Sequence, residues 1–250
     1  MKETITVTGM VLSASPVGEY DRRIVLLTKE RGKIAAFARG ARKPNGSALL
    51  AVNPFSFGTF TLYENRTSYN MMQADIENYF SDLRTDVEAA YYGFYFMDLA
   101  GYYAREANDE TELLKLLYQT MRALTSKKIP NRLIRYIFEL KIITVNGEGP
   151  QVFECVRCGT SDREVIFSPR MGGLICSECA AEVRDGISLD NSTLYALQYI
   201  VGSPIEKLFT FLLTDEVLNR LGRIIEKYLE QHLDKRFKSL EILEMLIETG

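Results

Sequence analysis

Residues 21–44 read DRRIVLLTKERGKIAAFARGARKP, and this stretch decides the fold of the first third of the chain. DRRIVLLT and GKIAAFAR both follow the two-residue period that is typical of β-strands. Residues 29–32 supply the break between them, because a charged run ending in glycine favours a turn. The pattern therefore predicts two consecutive strands, the second of which leads into a basic loop.

The same period extends outward from this stretch, from Ile5 to about Ile76. ITVTGMVLS precedes it, FSFGTFTLY and SYNMMQADI follow it, and residues 48–52 suffice for one helical turn after the third strand. Five short antiparallel strands with a helix after the third predict an OB-fold, a Greek-key barrel that often binds oligonucleotides. We therefore predict an OB-fold nucleic-acid-binding domain over residues 1–80.

Helical spacing replaces the strand pattern after Phe80, with Ser81 as the predicted N-cap of the first helix. Its aromatic run YYGFYF is apolar on more than one face, which indicates burial between other helices. Further helices are predicted over residues 110–124, 130–145, 191–212 and 215–247. The fold class is thus α+β, with an all-helical domain over residues 81–148 and 187–250 that carries an insertion at residues 149–186.

The insertion contains two CxxC pairs, and its four cysteines are Cys155, Cys158, Cys176 and Cys179. Two such pairs at this separation favour tetrahedral binding of one zinc ion, with Zn–S distances of about 2.3 Å. Four protein ligands leave no open position for water or substrate, so the zinc would be structural. The alternatives to a zinc site are redox-active cysteines or two disulfides.

The insertion also contains three arginines, which either contact phosphate or are simply solvated: Arg157, Arg163 and Arg170.

Composition limits the functional classes. The chain has 250 residues, 46% of them hydrophobic, so it can bury a sizeable core. Its 30 basic and 33 acidic residues give a net charge of -3, which excludes a polyanion binder that relies on overall charge. No segment reaches the ~20 apolar residues of a membrane span, and we expect a cytoplasmic protein with reduced cysteines.

A local excess of positive charge lies between Arg22 and Lys43, a segment that contains eight basic residues and only one acidic residue, Glu30. On an OB-fold these residues would lie on the second and third strands and on the loop after the third, a region that commonly faces nucleic acid. The alternative is a solvated strand edge. No nucleotide-binding or nucleophile motif is present, so the sequence predicts no enzymatic activity and no small-molecule substrate.

Much of the sequence resembles a known protein family. TGMVLSASPVGEYDRRIVLLTKERGKIAAFARGARKPNGSAL, followed by PFSFGTFTLY, resembles the amino-terminal domain of the RecO family of recombination mediator (DNA repair) proteins. The resemblance continues through the helical middle and the insertion with ECVRCG and FSPRMGGLICSEC, and it is weakest over the last fifty residues. It implies a bacterial, nucleoid-associated protein with an OB-fold, a helical domain and a zinc module. The acidic total is a departure that implies more dependence on partners.

The resemblance also implies functions and partners. Members bind single- and double-stranded DNA, anneal complementary strands, and load the recombinase together with RecR and the single-stranded-DNA-binding protein, whose acidic tail would occupy a groove in the helical domain. Carried over to this chain, the DNA-binding residues are Arg22, Arg23, Lys33, Arg39, Arg42 and Lys43. Four aromatic residues either stack on DNA bases or pack in the core of the barrel: Phe37, Phe55, Phe57 and Tyr63. Cations proposed beside the tail groove are Lys207, Arg220, Arg223 and Lys227.

One alternative function remains from the same features. A zinc-ribbon OB-fold protein in transcription or translation would bind RNA or a polymerase instead of DNA. A third class, a metal-dependent hydrolase or nuclease, is disfavoured because a four-cysteine site is closed.

Overall fold

The structure, a computed structural model, describes residues 4–43, 48–65, 68–161 and 164–249 and begins with a closed five-stranded barrel. Its elements are β1 (Thr4–Val17), β2 (Asp21–Thr28), β3 (Gly32–Ala38), α1 (Ala48–Ala51), β4 (Phe57–Glu64) and β5 (Tyr69–Asn78). The strand order is β1-β2-β3-β5-β4, and β4 closes the barrel against β1. The predicted OB-type barrel and its single helical turn are therefore confirmed.

One detail of the strand prediction is wrong, because β3 and β5 pair in parallel and not antiparallel. The four other pairs, β1–β2, β2–β3, β4–β5 and β1–β4, are antiparallel. An odd number of strands cannot alternate in direction all the way around a closed barrel. One parallel pair is therefore unavoidable.

The interior of the barrel explains the small apolar residues of β3. Burial alternates along this strand, so that Ile34, Ala36 and Ala38 face the core and the residues between them face outward. Ala36 and Ala38 pack among the larger side chains of the neighbouring strands, such as Ile24 and Leu26. A five-stranded barrel leaves a narrow interior, so small side chains complement large ones there.

The first compact unit comprises Met1–Thr125 and Phe237–Gly250. After the barrel it contains a 3-10 turn (Ser81–Arg84), α2 (Val87–Tyr103), α3 (Thr111–Ser126) and, from the end of the chain, α7 (Lys238–Thr249). The aromatic run of α2 is buried as predicted at Tyr92, Tyr95 and Phe96.

The predicted N-cap of α2 is wrong. Ser81 begins the 3-10 turn, and α2 starts only after Asp86, whose carboxylate accepts a hydrogen bond from the backbone N of Ala89 at 3.0 Å. Serine and aspartate both suit an N-cap, so composition alone does not choose between them.

The second compact unit comprises Ser126–Arg236. It contains α4 (Asn131–Val145), α5 (Asn191–Gly202), α6 (Asp215–His232) and a four-stranded sheet in the order β6-β8-β7-β9. The strands are β6 (Gln151–Cys155), β7 (Val165–Ser168), β8 (Gly173–Cys176) and β9 (Ile187–Ser188).

The described residues include no helix that is long and apolar enough to cross a membrane.

Two of the helix predictions differ from the structure, one in its length and one in its continuity. The helix predicted over residues 191–212 ends at Gly202, because the backbone is extended at Ser203 before Pro204. Lys141 of α4 also donates from Nζ to the carbonyl oxygens of Val201 and Ser203 at 2.9 and 2.7 Å, which satisfies this helix end. The stretch 215–247 forms two helices, α6 and α7, separated at residues 233–237 where the chain passes from the second unit to the first.

Candidate functional site

Four cysteine sulfurs meet at one end of the small sheet in the second unit. Cys155 ends β6 and Cys176 ends the neighbouring strand β8, while Cys158 and Cys179 lie in the turns that follow. All four Sγ atoms lie within 4.8 Å of one another, and those of Cys158 and Cys176 are 3.6 Å apart. The two predicted CxxC pairs are therefore brought together as one cluster.

The backbone around the cluster favours a thiolate at its buried end. Gly159, at a φ of 75°, closes the turn by donating from its backbone N to Cys155 O at 2.9 Å. Burial raises the pKa of Cys155, but backbone N–H groups of Cys176, Arg157 and Cys158 outweigh it and lower that pKa to about 6. Hydrogen bonding to Cys176 raises the pKa of Cys179 to about 12. Four thiolates together therefore require a cation between them.

The donor set fits a tetrahedral metal ion. The four residues stand as separate thiols. A Zn–S distance of about 2.3 Å implies S–S distances of about 3.8 Å. The cluster is close to that size, so small side-chain movements would complete the coordination. Only sulfur is offered, which suits zinc and other thiophilic ions better than magnesium or calcium.

One arginine side chain of the module, that of Arg157, pairs with an acid of the module, whereas Arg170 contacts Asp185 through its backbone. Arg157 Nη1 lies 2.9 Å from Glu182 Oε2, and the backbone N of Arg170 donates to Asp185 Oδ2 at 2.9 Å. Ser168 Oγ donates to the other Asp185 oxygen at 2.8 Å. Arg163 lies outside the described residues.

The loop after β3 carries three exposed cations, Arg39, Arg42 and Lys43. Its backbone is fixed to the turn between β1 and β2, since the N of Arg42 donates to Tyr20 O at 2.9 Å. The N of Gly40 donates to Asp21 Oδ1 at 2.8 Å, at a φ of 66° that favours glycine. The loop therefore presents its cations from an anchored backbone.

Tyr20, which is not among the predicted DNA-binding residues, lies beside Lys43 of this loop. Its side chain is 44% exposed, and Lys43 Nζ lies 6.0 Å from the centre of its ring, the outer limit of a cation–π contact. The sequence does contain an indication of this exposed ring, a large aromatic residue in the polar turn GEYD. Such a turn offers no core in which to bury it.

A second group of residues forms a row across the outside of the barrel. In register, Arg23 of β2 faces Phe37 of β3, Phe37 faces Asn70 of β5, and Asn70 faces Tyr63 of β4. Directly opposed residues in adjacent strands share a face of the sheet. An exposed cation and two partly exposed aromatic rings therefore lie along one line that crosses four strands.

The other two predicted DNA-binding residues are engaged within the first unit. Arg22 Nη1 donates to Asn53 Oδ1 at 2.7 Å. Lys33 Nζ donates to Gly101 O at 2.5 Å, close to the carboxyl end of α2, where a cation is favoured by the helix dipole.

The four aromatic residues of uncertain role divide into two pairs. Phe55 is buried against Phe94, with ring centres 5.0 Å apart, and Phe57 packs on Tyr118 at 4.4 Å. These two rings belong to the packing between barrel and helices. Phe37 and Tyr63 lie instead on the outer row.

Three of the four cations predicted near a partner groove follow one face of α6. Arg220, Arg223 and Lys227 are spaced by three and four residues, which places them side by side on a helix. Arg220 pairs with Asp190 and Glu216, whereas Arg223 and Lys227 are exposed. Lys207 is exposed in the short turn before α6.

Comparisons with known proteins cover almost the whole chain. The family model "Recombination protein O N terminal" matches residues 1–80, and "Recombination protein O C terminal" matches residues 84–241. A DNA repair protein RecO from Alkaliphilus metalliredigens is 32% identical over 97% of this chain and 99% of its own length. Those from Acetivibrio thermocellus and Desulforudis audaxviator are 28% and 30% identical, over 96% and 95% of both chains. The barrel, the helices and the four-cysteine insertion thus occur in a chain that belongs to the RecO family of DNA repair proteins.

Proposed function

We propose that this chain is a recombination mediator that binds single- and double-stranded DNA through its barrel and acts without covalent chemistry. The observation that supports this best is the anchored loop after β3, which exposes Arg39, Arg42 and Lys43, the last of them near the ring of Tyr20. Cations on a fixed backbone contact phosphates without reading sequence. Binding would therefore suit any damaged site.

Strand annealing follows from the same geometry. Phosphate contacts hold a strand by its backbone and leave the base edges free to pair with a complementary strand. Tyr20, with Phe37 and Tyr63 of the outer row, offers ring faces for sequence-independent stacking. Arg23 and the three loop cations would contact DNA phosphates. Arg22 and Lys33 instead stabilise the barrel that carries them through their own hydrogen bonds.

The partners we propose are RecR and the acidic tail of the single-stranded-DNA-binding protein. The exposed cations of α6, Arg223 and Lys227, support an acidic ligand on the second unit. A chain with a net charge of -3 depends on such partners to reach coated DNA and load the recombinase. Its proposed place of action is the bacterial cytoplasm, at the nucleoid during repair.

The four cysteines would hold one structural zinc ion per chain. When bound, the ion supplies cross-linking of the two turns and neutralises the thiolates. Cys155 and Cys176 would hold it from the strand ends, and Cys158 and Cys179 from the turns.

A salt series tests the DNA proposal. Replacing Arg39, Arg42 and Lys43 together by alanine should weaken binding to single-stranded DNA and reduce the slope of log K against log salt by up to about 0.7 per lost contact. The slope is measured by fluorescence anisotropy with a labelled oligonucleotide.

The matched control removes three exposed cations from elsewhere in the chain, Arg84, Arg122 and Lys128. It changes the net charge equally and should leave the slope unchanged. An unaltered slope in the folded loop variant, or preference for a matched RNA, would contradict the proposal.

A further inference from the structure

A cleft of about 550 Å³ opens between the four-cysteine module and α5, both of which lie in the second unit. Asn191, Leu194, Tyr195 and Gln198 form its helical wall, because spacings of three and four residues share one helix face. The opposite wall includes Phe153 and Glu154 of β6. The DNA-binding proposal uses none of these residues.

The two walls are held together by direct contacts. Gln198 Nε2 donates to the backbone O of Val152 at 2.8 Å. The ring of Phe153 lies over Gly202 of α5, where a Cβ would be 3.1 Å from its Cζ. The cleft therefore exists before a ligand arrives, and binding would require little ordering of its walls.

The cleft exposes two aromatic rings. Phe153 is 51% exposed and Tyr195 is 67% exposed, although both line a concave surface. Tyr195 is oriented by Tyr199, on which it stacks with ring centres 6.2 Å apart. Exposed rings in a concavity with a few polar groups are typical of sites that bind amphipathic side chains.

The charge of the cleft is negative. Glu154 accepts from the neutral amide of Gln151 at 3.3 Å, and an adjoining cleft that shares Val165 and Asn191 is lined by Glu164 and Asp190. Arg220 compensates Asp190. Among the described lining residues of both clefts there is no lysine, arginine or histidine.

We infer that this cleft binds a basic segment of a partner protein. The apolar stem of an arginine or lysine side chain packs against Phe153 and Tyr195, and its charge meets Glu154. Aromatic faces and a carboxylate both attract a cation. Nucleic acid and acidic peptides are repelled by the same carboxylates, so the ligand differs in sign from those of the proposed function.

Two labelled peptides test the inference on the full-length protein. Fluorescence anisotropy in about 0.1 M salt compares GLRLRLG with GLELELG, so that only the sign of the charge differs. The basic peptide should bind at least tenfold more tightly. Tyr195→Ala and Glu154→Gln should each weaken its binding roughly threefold or more, and Tyr195→Phe should retain it.

Matched controls separate the cleft from the general acidity of the chain. Glu230→Gln removes an exposed charge from α6, and Val87→Ala removes an exposed apolar side chain from α2. Neither should alter peptide binding. Equal binding of both peptides, loss of binding in the controls, or competition by single-stranded DNA would overturn the inference.

The outcome is separable from the DNA proposal. Tyr195→Ala and Glu154→Gln should bind single-stranded DNA as the unmodified protein does, because the barrel residues are unchanged. A failure of the peptide experiment would therefore leave the salt-slope result standing, and the reverse also holds.

Discussion

At the scale of single residues, similar side chains in the basic segment have different surroundings. Lys33 donates to the end of α2 and Arg22 to Asn53. Arg39, Arg42 and Lys43 are exposed on the loop after β3, where Arg42 makes only a long 3.4 Å contact from Nη1 to Gly18 O. Position relative to a long-range partner decides which cation is available to a ligand. Charge density alone does not make this distinction.

Tyr20 is the residue for which we expect the most specific effect on DNA. Tyr20→Ala should weaken binding to single-stranded DNA by about 1 kcal/mol, because stacking on one ring contributes about 1–3 kcal/mol per base. The dissociation constant is measured at fixed salt with a short oligonucleotide.

Tyr20→Phe is the control, since it keeps the ring and removes only the hydroxyl. It should bind like the unmodified protein, and the salt slope of Tyr20→Ala should not change because no phosphate contact is lost. A reduced slope would show that the residue acts through charge and not through stacking.

At the scale of elements, the ends of α5 are held by side chains. Asp190 caps its beginning by accepting from the backbone N of Thr193 at 2.7 Å, and Lys141 binds the carbonyls at its other end. Hydrogen bonds at helix ends replace partners that the helix itself cannot supply. The length of α5 therefore depends on α4 and on its own cap as much as on its helical pattern.

Removing the cap should give a pH-dependent loss of stability. Burial raises the pKa of Asp190, but hydrogen bonds from Thr193 and the charge of Arg220 outweigh it, so the folded-state pKa is lowered. The stabilisation is thus present above the unfolded pKa of about 3.9 and disappears as the pH falls through the lower folded value.

We expect Asp190→Ala to reduce the free energy of unfolding by about 1 kcal/mol at pH 7 and by less at pH 3, where part of the stabilisation is already lost. Urea denaturation at both pH values measures the difference. Glu230→Ala, at an exposed position of α6, is the control, and an equal loss at both pH values would contradict this account of the cap.

The four-cysteine module is an element whose small sheet we expect to depend on a bound metal ion. Metal analysis of reduced protein should find about one zinc ion per chain, and Cys176→Ser should lose it because a tetrahedral site needs all its ligands. Limited proteolysis of that variant should cut the module first, since the metal supplies folding energy there. Retention of the metal after loss of Cys176 would contradict the four-thiolate site.

At the scale of the whole molecule, the end of the chain completes the unit with which the chain begins. Phe237 is buried with its ring 6.0 Å from that of Tyr95 and 5.8 Å from that of Tyr102, and Ser239 Oγ donates to Asp98 Oδ2 at 2.7 Å. The first unit is therefore built from both ends of the sequence.

Phe237→Ala should consequently destabilise the first unit by about 3–5 kcal/mol, the usual effect of deleting a buried aromatic ring. Chemical denaturation followed by the fluorescence of the tyrosines measures the shift in midpoint. Leu212→Ala, at a position that is 64% exposed, should shift it little. A small shift for Phe237→Ala would show that α7 contributes little to the unit.

The sequence by itself determined the barrel, the buried aromatic helix and the four-cysteine cluster. Strand and helix periods are local properties, and the spacing of two CxxC pairs limits how their sulfurs can meet. Only the tertiary structure decided the parallel pair β3–β5, the return of α7, the placing of Tyr20 beside Lys43 and the acidic cleft along α5. Each of these joins residues distant in sequence, and such contacts depend on register and packing, which no local pattern of residue types specifies.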